Sequence, residues 1–213
     1  MLKLKFIWLL SAILLFSATF SWAASPPDYT IVYAFKNPDG TMFRIIRYYQ
    51  RDGDKFRYDH LATVKYHVSG GQPLRAEQIP ADAEADLILI LRKDKGLVWS
   101  PDPPSQTYHE APLKPDSWEK RNSGIFIPPD FKSAKTGAAK FLNYSCDIYE
   151  SVRTVKEETW SNTVLVAQGS GVVLKTETRR NGELVQTMEA VEFSLAKPAA
   201  ALFEVPARYQ KSK

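Results

Sequence analysis

The side chains with most capacity for chemistry in this sequence are three histidines, one cysteine and a few isolated serines and carboxylates. His60, His67 and His109 lack the spacing of a zinc motif, so we interpret them as surface or sheet residues. Ser170 stands between two glycines but without the spacing of a hydrolase nucleophile, and a hairpin turn explains it better. There is no glycine-rich phosphate loop. We therefore predict no enzyme, no catalytic residue and no cofactor.

A short acidic run is the one candidate for a metal site. Asp82, Glu84 and Asp86 alternate along a segment that is rich in proline and small residues. Carboxylates at this spacing could bind calcium weakly, but the glycine and the closing glutamate of a calcium-binding loop are absent. We interpret the run as a solvated loop and predict no metal site.

Cys146 is the single cysteine, so the chain cannot form an internal disulfide. Tyr144 and Ile148 share its face in an alternating strand pattern, which predicts a buried thiol. The alternatives are an intermolecular disulfide and a reactive thiol.

The first 23 residues have the layout of a secretory signal peptide. Two lysines precede an apolar run over 6–16, and Ser21 and Ala23 fit the small-residue rule for cleavage before Ala24. The run is too short to span a bilayer comfortably, although an uncleaved signal anchor is the alternative. We therefore predict a signal peptide over 1–23 and a periplasmic protein that is not integral to the membrane after cleavage.

The remaining residues, 24–213, are predicted to form a single domain of about 190 residues. A hydrophobic content of 44% and an aromatic content of 12% exclude a disordered chain. The net charge of +4 includes the two lysines of the signal peptide, and the other basic residues are scattered. This distribution excludes a nucleic-acid partner, while a weak attraction to anionic membranes stays open.

Alternating apolar residues predict a mainly β fold of the α+β class. Eight strands show the pattern most clearly and lie at 29–35, 43–49, 56–60, 64–68, 144–148, 157–167, 172–178 and 184–195. Asp52–Gly53 and Asn181–Gly182 are hairpin turn signals. The continuous apolar run at 87–91 predicts a strand covered on both faces, and shorter strands begin at 97 and 106.

The segment 112–140 lacks alternation and is too long for an ordinary connection, so we expect it to cover one face of the sheet. Asp116 or Ser117 can cap a short helix that carries Trp118, and a second short helix is predicted within 131–140. One further helical turn is predicted at 198–202.

Large aromatic side chains on predicted strands are the remaining unusual feature. Seven of them are the candidate ligand-binding residues, namely Tyr33, Phe43, Phe56, Tyr58, Trp99, Tyr108 and Trp160. A curved sheet with large side chains on its concave face must be filled by helices or by a ligand. The alternative is a plain aromatic core, because strands favour these residues in any case.

Three segments carry a family resemblance over roughly residues 86 to 209. They are Leu97-Val98-Trp99 followed by Thr107-Tyr108-His109-Glu110, then Asn143 to Tyr149, then Leu202-Phe203-Glu204-Val205-Pro206 with Tyr209. They resemble a family of exported bacterial proteins with a domain of unknown function, which is related to the outer-membrane lipoprotein carrier (lipoprotein-localisation factor) superfamily. That superfamily comprises the periplasmic carrier, its outer-membrane receptor and a sigma-factor regulator that senses envelope stress.

The resemblance implies a strongly curved antiparallel sheet, an unclosed β-barrel, with short helices covering its concave face. In characterised relatives that face binds acyl chains, and the family has no catalytic residue. We therefore predict a non-enzymatic periplasmic protein that binds a lipid or lipoprotein acyl chain in a hydrophobic cleft, with 112–140 as a lid. The alternatives are an envelope sensor or scaffold that docks another envelope protein through an edge strand, and an envelope hydrolase.

The closing segment leads to two expectations about stability. Phe203 precedes an extended Val-Pro pair, and we expect its side chain to point into the sheet and hold the C-terminal segment on the core. Residues 211–213 are expected to be removable without effect because they lie near a terminus.

Overall fold

A computed structural model describes residues 26–61, 85–117, 125 and 133–212. These residues form twelve strands of one sheet. Several predictions fall outside the described residues, namely the signal peptide at 1–23, the strand at 64–68 and the helix at Trp118.

The first six strands form an antiparallel meander in chain order. They are β1 Tyr29–Lys36, β2 Met42–Arg51, β3 Lys55–Leu61, β4 Ala85–Arg92, β5 Leu97–Asp102 and β6 Thr107–Pro112. Asp52 and Gly53 have φ angles of 57° and 72°, so the β2–β3 turn has the left-handed backbone that tight hairpins favour. The hairpin predicted at these two residues is confirmed.

The next five strands form a second antiparallel meander. They are β7 Ala134–Phe141, β8 Tyr144–Val155, β9 Glu158–Ala167, β10 Val173–Arg180 and β11 Glu183–Ser194. Asn181 and Gly182 again have positive φ angles, of 51° and 87°, and make the predicted β10–β11 turn. β11 then pairs with β1, which joins the two meanders into one sheet.

The last strand, β12 Gln210–Lys211, lies against β6 in parallel. The strand order is β12-β6-β5-β4-β3-β2-β1-β11-β10-β9-β8-β7, so β12 and β7 are the edges and the sheet does not close. The predicted fold class, a mainly β unclosed barrel, is confirmed. The expectation that 211–213 are dispensable stays a prediction, and Ser212 donates a backbone hydrogen bond to Tyr108 of β6.

The short helix predicted within 131–140 is wrong, because Ala134–Phe141 is strand β7. Its alanines favour a helix in isolation, but pairing with β8 along the whole strand decides the conformation. The two-residue turn Leu142–Asn143, with φ angles of 48° and 66°, folds β7 directly back along β8.

Two smaller expectations have mixed outcomes. The run 87–91 is a strand, as predicted, but Leu87 is 41% exposed whereas Ile90 and Leu91 are buried, so only its end is covered on both faces. The helical turn near 198–202 is confirmed as a 3₁₀ turn at Ala200–Phe203. The described residues also include one helical stretch, 115–117.

Candidate functional site

One face of the sheet carries a layer of buried aromatic side chains. Residues that are directly paired across strands lie on the same face, and Tyr29 pairs with Gln50, which in turn pairs with Phe56. On the same face Tyr48 pairs with Tyr58. We call this surface the tyrosine face and define it by Tyr29, Tyr33, Tyr48, Phe56 and Tyr58.

Tyr48 lies at the centre of the ring contacts on the tyrosine face. Its ring centroid is 5.9 Å from that of Tyr33, 5.7 Å from Phe56 and 5.4 Å from Tyr58. Aromatic pairs in tilted or edge-on arrangements at these distances are each worth about 0.5–1.5 kcal/mol beyond the area they bury. Three strands are therefore joined by one network of rings.

Tyr33 is a neutral hydrogen-bond donor in this network. Tyr33 donates its hydroxyl to the carbonyl oxygen of Val173, which ties β1 to β10. Burial raises the pKa of both Tyr29 and Tyr33 well above the usual value of a tyrosine. Neither residue can act as a base near neutral pH.

Gln50 places a polar group inside this apolar layer. Its side chain is fully buried, and neither Nε2 nor Oε1 has a hydrogen-bond partner in the part of the chain that the structure describes. Such an amide costs about 1–3 kcal/mol of desolvation. Gln50 is therefore a buried polar side chain on the tyrosine face without a hydrogen-bond partner among the described residues.

Ile125, like Leu113, is a described residue of the central segment that packs in the buried cluster of this face. It is 1% exposed and belongs to the same buried cluster as Tyr29, Tyr33 and Phe56. Its carbonyl oxygen accepts a 2.8 Å hydrogen bond from the backbone N–H of Val173. The central segment therefore reaches the tyrosine face through an isoleucine.

Four of the seven predicted ligand-binding residues lie on or beside the tyrosine face. Tyr33 and Phe56 are fully buried, and Tyr58 is half-buried. Phe43 is 39% exposed and contacts Phe35, with ring centroids 6.3 Å apart. Tyr58 and Phe43 are thus the members of this group that a ligand could reach without displacing the innermost side chains.

Trp99 and Tyr108 lie on the opposite face of the sheet. Trp99 pairs with Ile90, whereas Phe56 pairs with the next residue along β4, Leu91. Because successive residues of a strand point to opposite faces, Trp99 and Phe56 cannot line one site. Trp99 and Tyr108 instead pack with Phe203.

Trp160 lies apart from both groups, near the start of β9. It pairs with Arg153 on β8 and with Arg180 on β10, whose guanidinium carbon is 5.9 Å from the ring centroid. The structure therefore divides the seven predicted residues among three places, and their role in ligand binding stays a prediction.

The face opposite the tyrosine face holds the C-terminal segment through three arginines. Arg51, Arg57 and Arg92 come from neighbouring strands and donate to the carbonyl oxygens of Pro198, Leu202 and Phe203, at 2.5, 3.1 and 3.1 Å. We call this surface the arginine face and define it by Arg51, Arg57 and Arg92. The aromatic ring of Phe203 is fully buried there, as predicted.

Arg92 is the most enclosed of these arginines and has two carboxylate partners. It binds Asp94 through two hydrogen bonds of 2.8 and 2.6 Å, and it also pairs with Glu204. The hydrogen bonds from Arg92 lower the pKa of Asp94. Burial alone would raise the pKa of Glu204, but hydrogen bonds from Arg92 and Lys95 lower it on balance.

Sequence reasoning missed the arginine face. Arg57 alternates with the predicted aromatic residues Phe56 and Tyr58, so the alternation alone assigns it to a solvent-exposed face. Asp59 and Arg47, a cross-strand pair on this face, are 3% and 6% exposed. The one available signal was the density of charge on strands that also carry a long aromatic pattern.

The remaining candidate residues show limited chemistry. The hydroxyl of Ser170 donates to the carbonyl of Ala167 and accepts from the backbone N–H of Val172, both at 3.3 Å, as a turn residue does. His60 lies 4.0 Å from Asp86, and the buried Cys146 has a pKa raised by burial. His67, Asp82 and Glu84 are not among the described residues.

Over the described ranges, no three side chains of histidine, cysteine, aspartate or glutamate come close enough to hold a metal ion. The same part of the chain contains no helix with the length and hydropathy needed to cross a membrane.

Comparison with known proteins gives matches in structure but not in sequence. No protein-family model and no curated protein matches the chain. A structure of the MucA/MucB complex of Pseudomonas aeruginosa superposes with a TM-score of 0.52 at 11% identity, over 87% of this chain and 58% of that one. A crystal structure of MucB with the periplasmic part of MucA gives a TM-score of 0.49 at 10% identity, over 88% and 57%.

A domain from Vibrio parahaemolyticus that is described as an outer membrane lipoprotein-sorting protein matches at a TM-score of 0.26 and 11% identity, over 79% of this chain and 85% of that one. Matches with a TM-score below 0.5 carry no argument, so the likeness of fold rests on the MucA/MucB structure with a score of 0.52. The chain spans a little under three fifths of the MucB structures it matches. At 11% identity the match to the MucA/MucB structure shows a shared fold alone, and the predicted relation to the lipoprotein-carrier superfamily stays a prediction.

Proposed function

We propose that the protein is a non-enzymatic, periplasmic binding protein that holds an acyl chain, free or on a lipoprotein, against the tyrosine face. The observation that carries this proposal is the burial of Ile125 in the same core cluster as the aromatic layer. Ile125 comes from the long central segment rather than from a strand of the sheet, so the layer is covered by a side chain that an apolar ligand can replace.

The energetics favour such a replacement. Burying a methylene group contributes about 0.8 kcal/mol, so an acyl chain of ordinary length can outweigh the contacts of one isoleucine. The half-buried Tyr58 and the exposed Phe43 extend the aromatic surface towards solvent, where a chain would enter. The part of the central segment that precedes strand β7 then acts as a lid.

Two measurements test acyl-chain binding. Native mass spectrometry of the protein from its host should show a co-purifying lipid, and a fluorescent fatty acid should bind the delipidated protein. Tyr58→Ala should weaken binding of the fluorescent fatty acid, whereas Trp160→Ala, a matched aromatic truncation elsewhere in the sheet, should not. Absence of both lipid and fatty-acid binding would contradict the proposal.

A second candidate function is docking of another envelope protein at a sheet edge. It is favoured by the difference between the two edges, since β6 is covered by β12 whereas β7 is the outermost strand at the other end of the sheet. MucB, which shares the fold, forms a complex with MucA. Binding of a protein partner to the lipid-free chain would separate this function from the first.

A further inference from the structure

Strand β7 presents one side of its backbone away from the sheet. Among the described residues its one neighbour in the strand order is β8, and the pairing runs from Ala134 to Phe141. At the opposite edge the chain covers β6 with its own β12. An edge strand left in this state is a template for an incoming extended chain.

The turn that joins β7 to β8 determines which residues are available. In a two-residue hairpin with positive φ angles, the flanking pair exchanges both backbone hydrogen bonds, and bonded pairs then alternate along the ladder. Here the flanking pair is Phe141 and Tyr144. The backbone N–H and C=O groups of Lys140 and Ala138 therefore point away from β8.

The side chains along this edge leave room for a partner. Ala138 and Lys140 are exposed. Gly137, which follows the irregularity in the β7–β8 pairing between Lys135 and Gly137, has no side chain. A Cβ atom at Gly137 would meet the side chain of Ile148 at 3.6 Å, an ordinary van der Waals contact, so the side chain of Ile148 lies beside this position. Bulky residues of an added strand can thus pack over Ala138 without a clash.

Charge selects the kind of partner. β7 contains two lysines and no acidic residue. Lys135 binds Asp147 at 2.8 Å, while Lys140 extends from an outward-facing position of the strand. Pairing two copies of β7 would bring like charges together across the new ladder, which disfavours self-association. A segment with carboxylates would instead complement Lys140.

We infer that the β7 edge binds an extended, acidic segment of a partner protein, which adds to the sheet through the backbone groups of Ala138 and Lys140. This inference rests on the second proposed function, docking at a sheet edge, and is independent of acyl-chain binding. It specifies the edge, the positions that pair and the chemistry of the partner.

The probe is a fluorescent seven-residue peptide of alternating glutamate and valine, with a lysine-for-glutamate analogue as its control. Ala138→Pro removes an outward-facing N–H without touching the bonds to β8, since proline is tolerated at sheet edges. We expect the glutamate peptide to bind the wild type. It should bind Ala138→Pro and Lys140→Glu at least tenfold more weakly. Lys140→Glu should also favour the lysine peptide.

A second test changes the peptide instead of the protein. A glutamate peptide whose backbone nitrogens are methylated at the positions that would pair with β7 cannot donate those hydrogen bonds, and it should not bind. If Ala138→Pro, folded by circular dichroism, binds the glutamate peptide as well as wild type, the β7 edge is the wrong site, although docking elsewhere survives. If the methylated peptide binds equally well, strand addition is wrong. If neither peptide binds, the inference fails, whereas the second proposed function fails only if no protein partner binds the lipid-free chain.

Discussion

The tyrosine face and the arginine face bury side chains of the same sheet by different means. On the tyrosine face, rings pack against rings, and Gln50 lies among them without a hydrogen bond among the described residues. On the arginine face, guanidinium groups bind individual carbonyl oxygens of the C-terminal segment. Ring packing tolerates replacement by another apolar group, whereas directional hydrogen bonds fix one segment in one register. We therefore expect ligand exchange on the first face and stability from the second.

The largest effect is expected from Phe203→Ala on the arginine face. Truncating a fully buried phenylalanine typically costs about 3–5 kcal/mol, which for a chain of this size lowers the melting temperature by roughly 10 °C. Thermal melts measure this. Tyr209→Ala, at a half-buried position nearby, is the matched control and should have a smaller effect. A variant at Phe203 that melts like wild type would show that the segment is not held by packing.

Arg92→Met should have the next largest effect, roughly 2–3 kcal/mol, because it keeps the side-chain stem but leaves Asp94 and a buried carbonyl without this donor and removes one of the two donors to Glu204, the other being Lys95. Chemical denaturation measures it. The lowered pKa values of Asp94 and Glu204 mean that their stabilisation is present above the unfolded pKa values and is lost as pH falls through the folded ones.

The acid sensitivity of stability should accordingly be smaller in Arg92→Met than in wild type. Denaturation at neutral pH and near pH 3 compares the two proteins. Equal losses of stability in acid would mean that Arg92 is not what lowers the pKa of these carboxyl groups.

Gln50→Leu should change the tyrosine face in the opposite direction. Replacing a buried amide that lacks partners by an apolar side chain of similar size should stabilise the ligand-free protein by about 1 kcal/mol. The melting temperature should rise by a few degrees. Gln50→Glu, which buries a charge at the same position, should lower it. A lower melting temperature for Gln50→Leu would show that the amide of Gln50 has hydrogen-bond partners in solution. The two faces would then differ less than proposed.

The smallest effect concerns Cys146, which is buried in β8 and belongs to the same core cluster as Tyr29 and Tyr33. Its thiol should resist a thiol reagent in the native protein and react after denaturation, because burial both blocks access and raises its pKa. The protein should run as a monomer on a non-reducing gel. A disulfide-linked dimer would place Cys146 at an interface instead.

Strand pattern and turn chemistry explain how much of the fold was predictable. The β2–β3 and β10–β11 hairpins were found because Asp52–Gly53 and Asn181–Gly182 contain the glycine that a left-handed turn prefers. β7 was missed because its turn, Leu142–Asn143, has no glycine, and because its alanines favour a helix. Tertiary pairing overrides both local signals there.

The site was less predictable than the fold, because strand alternation says that two sets of residues face opposite ways without saying what covers each set. Tyr33, Phe56 and Tyr58 were correctly grouped on one face. Trp99 was grouped with them, but its pairing with Ile90 of β4 places it on the other face. The arginine face depends on contacts between residues more than 100 positions apart, such as Arg92 with Phe203. No local pattern in a sequence encodes such a contact.

The pairing of β12 with β6 sets the order in which the protein can be assembled. The hydrogen bonds from Ser212 to Tyr108 join residues 104 positions apart, so β6 remains an exposed edge while the whole second meander is being synthesised. During that interval a nascent chain exposes Thr107 and Tyr108 of β6, the residues that β12 later pairs with, and unpaired edges promote misassembly.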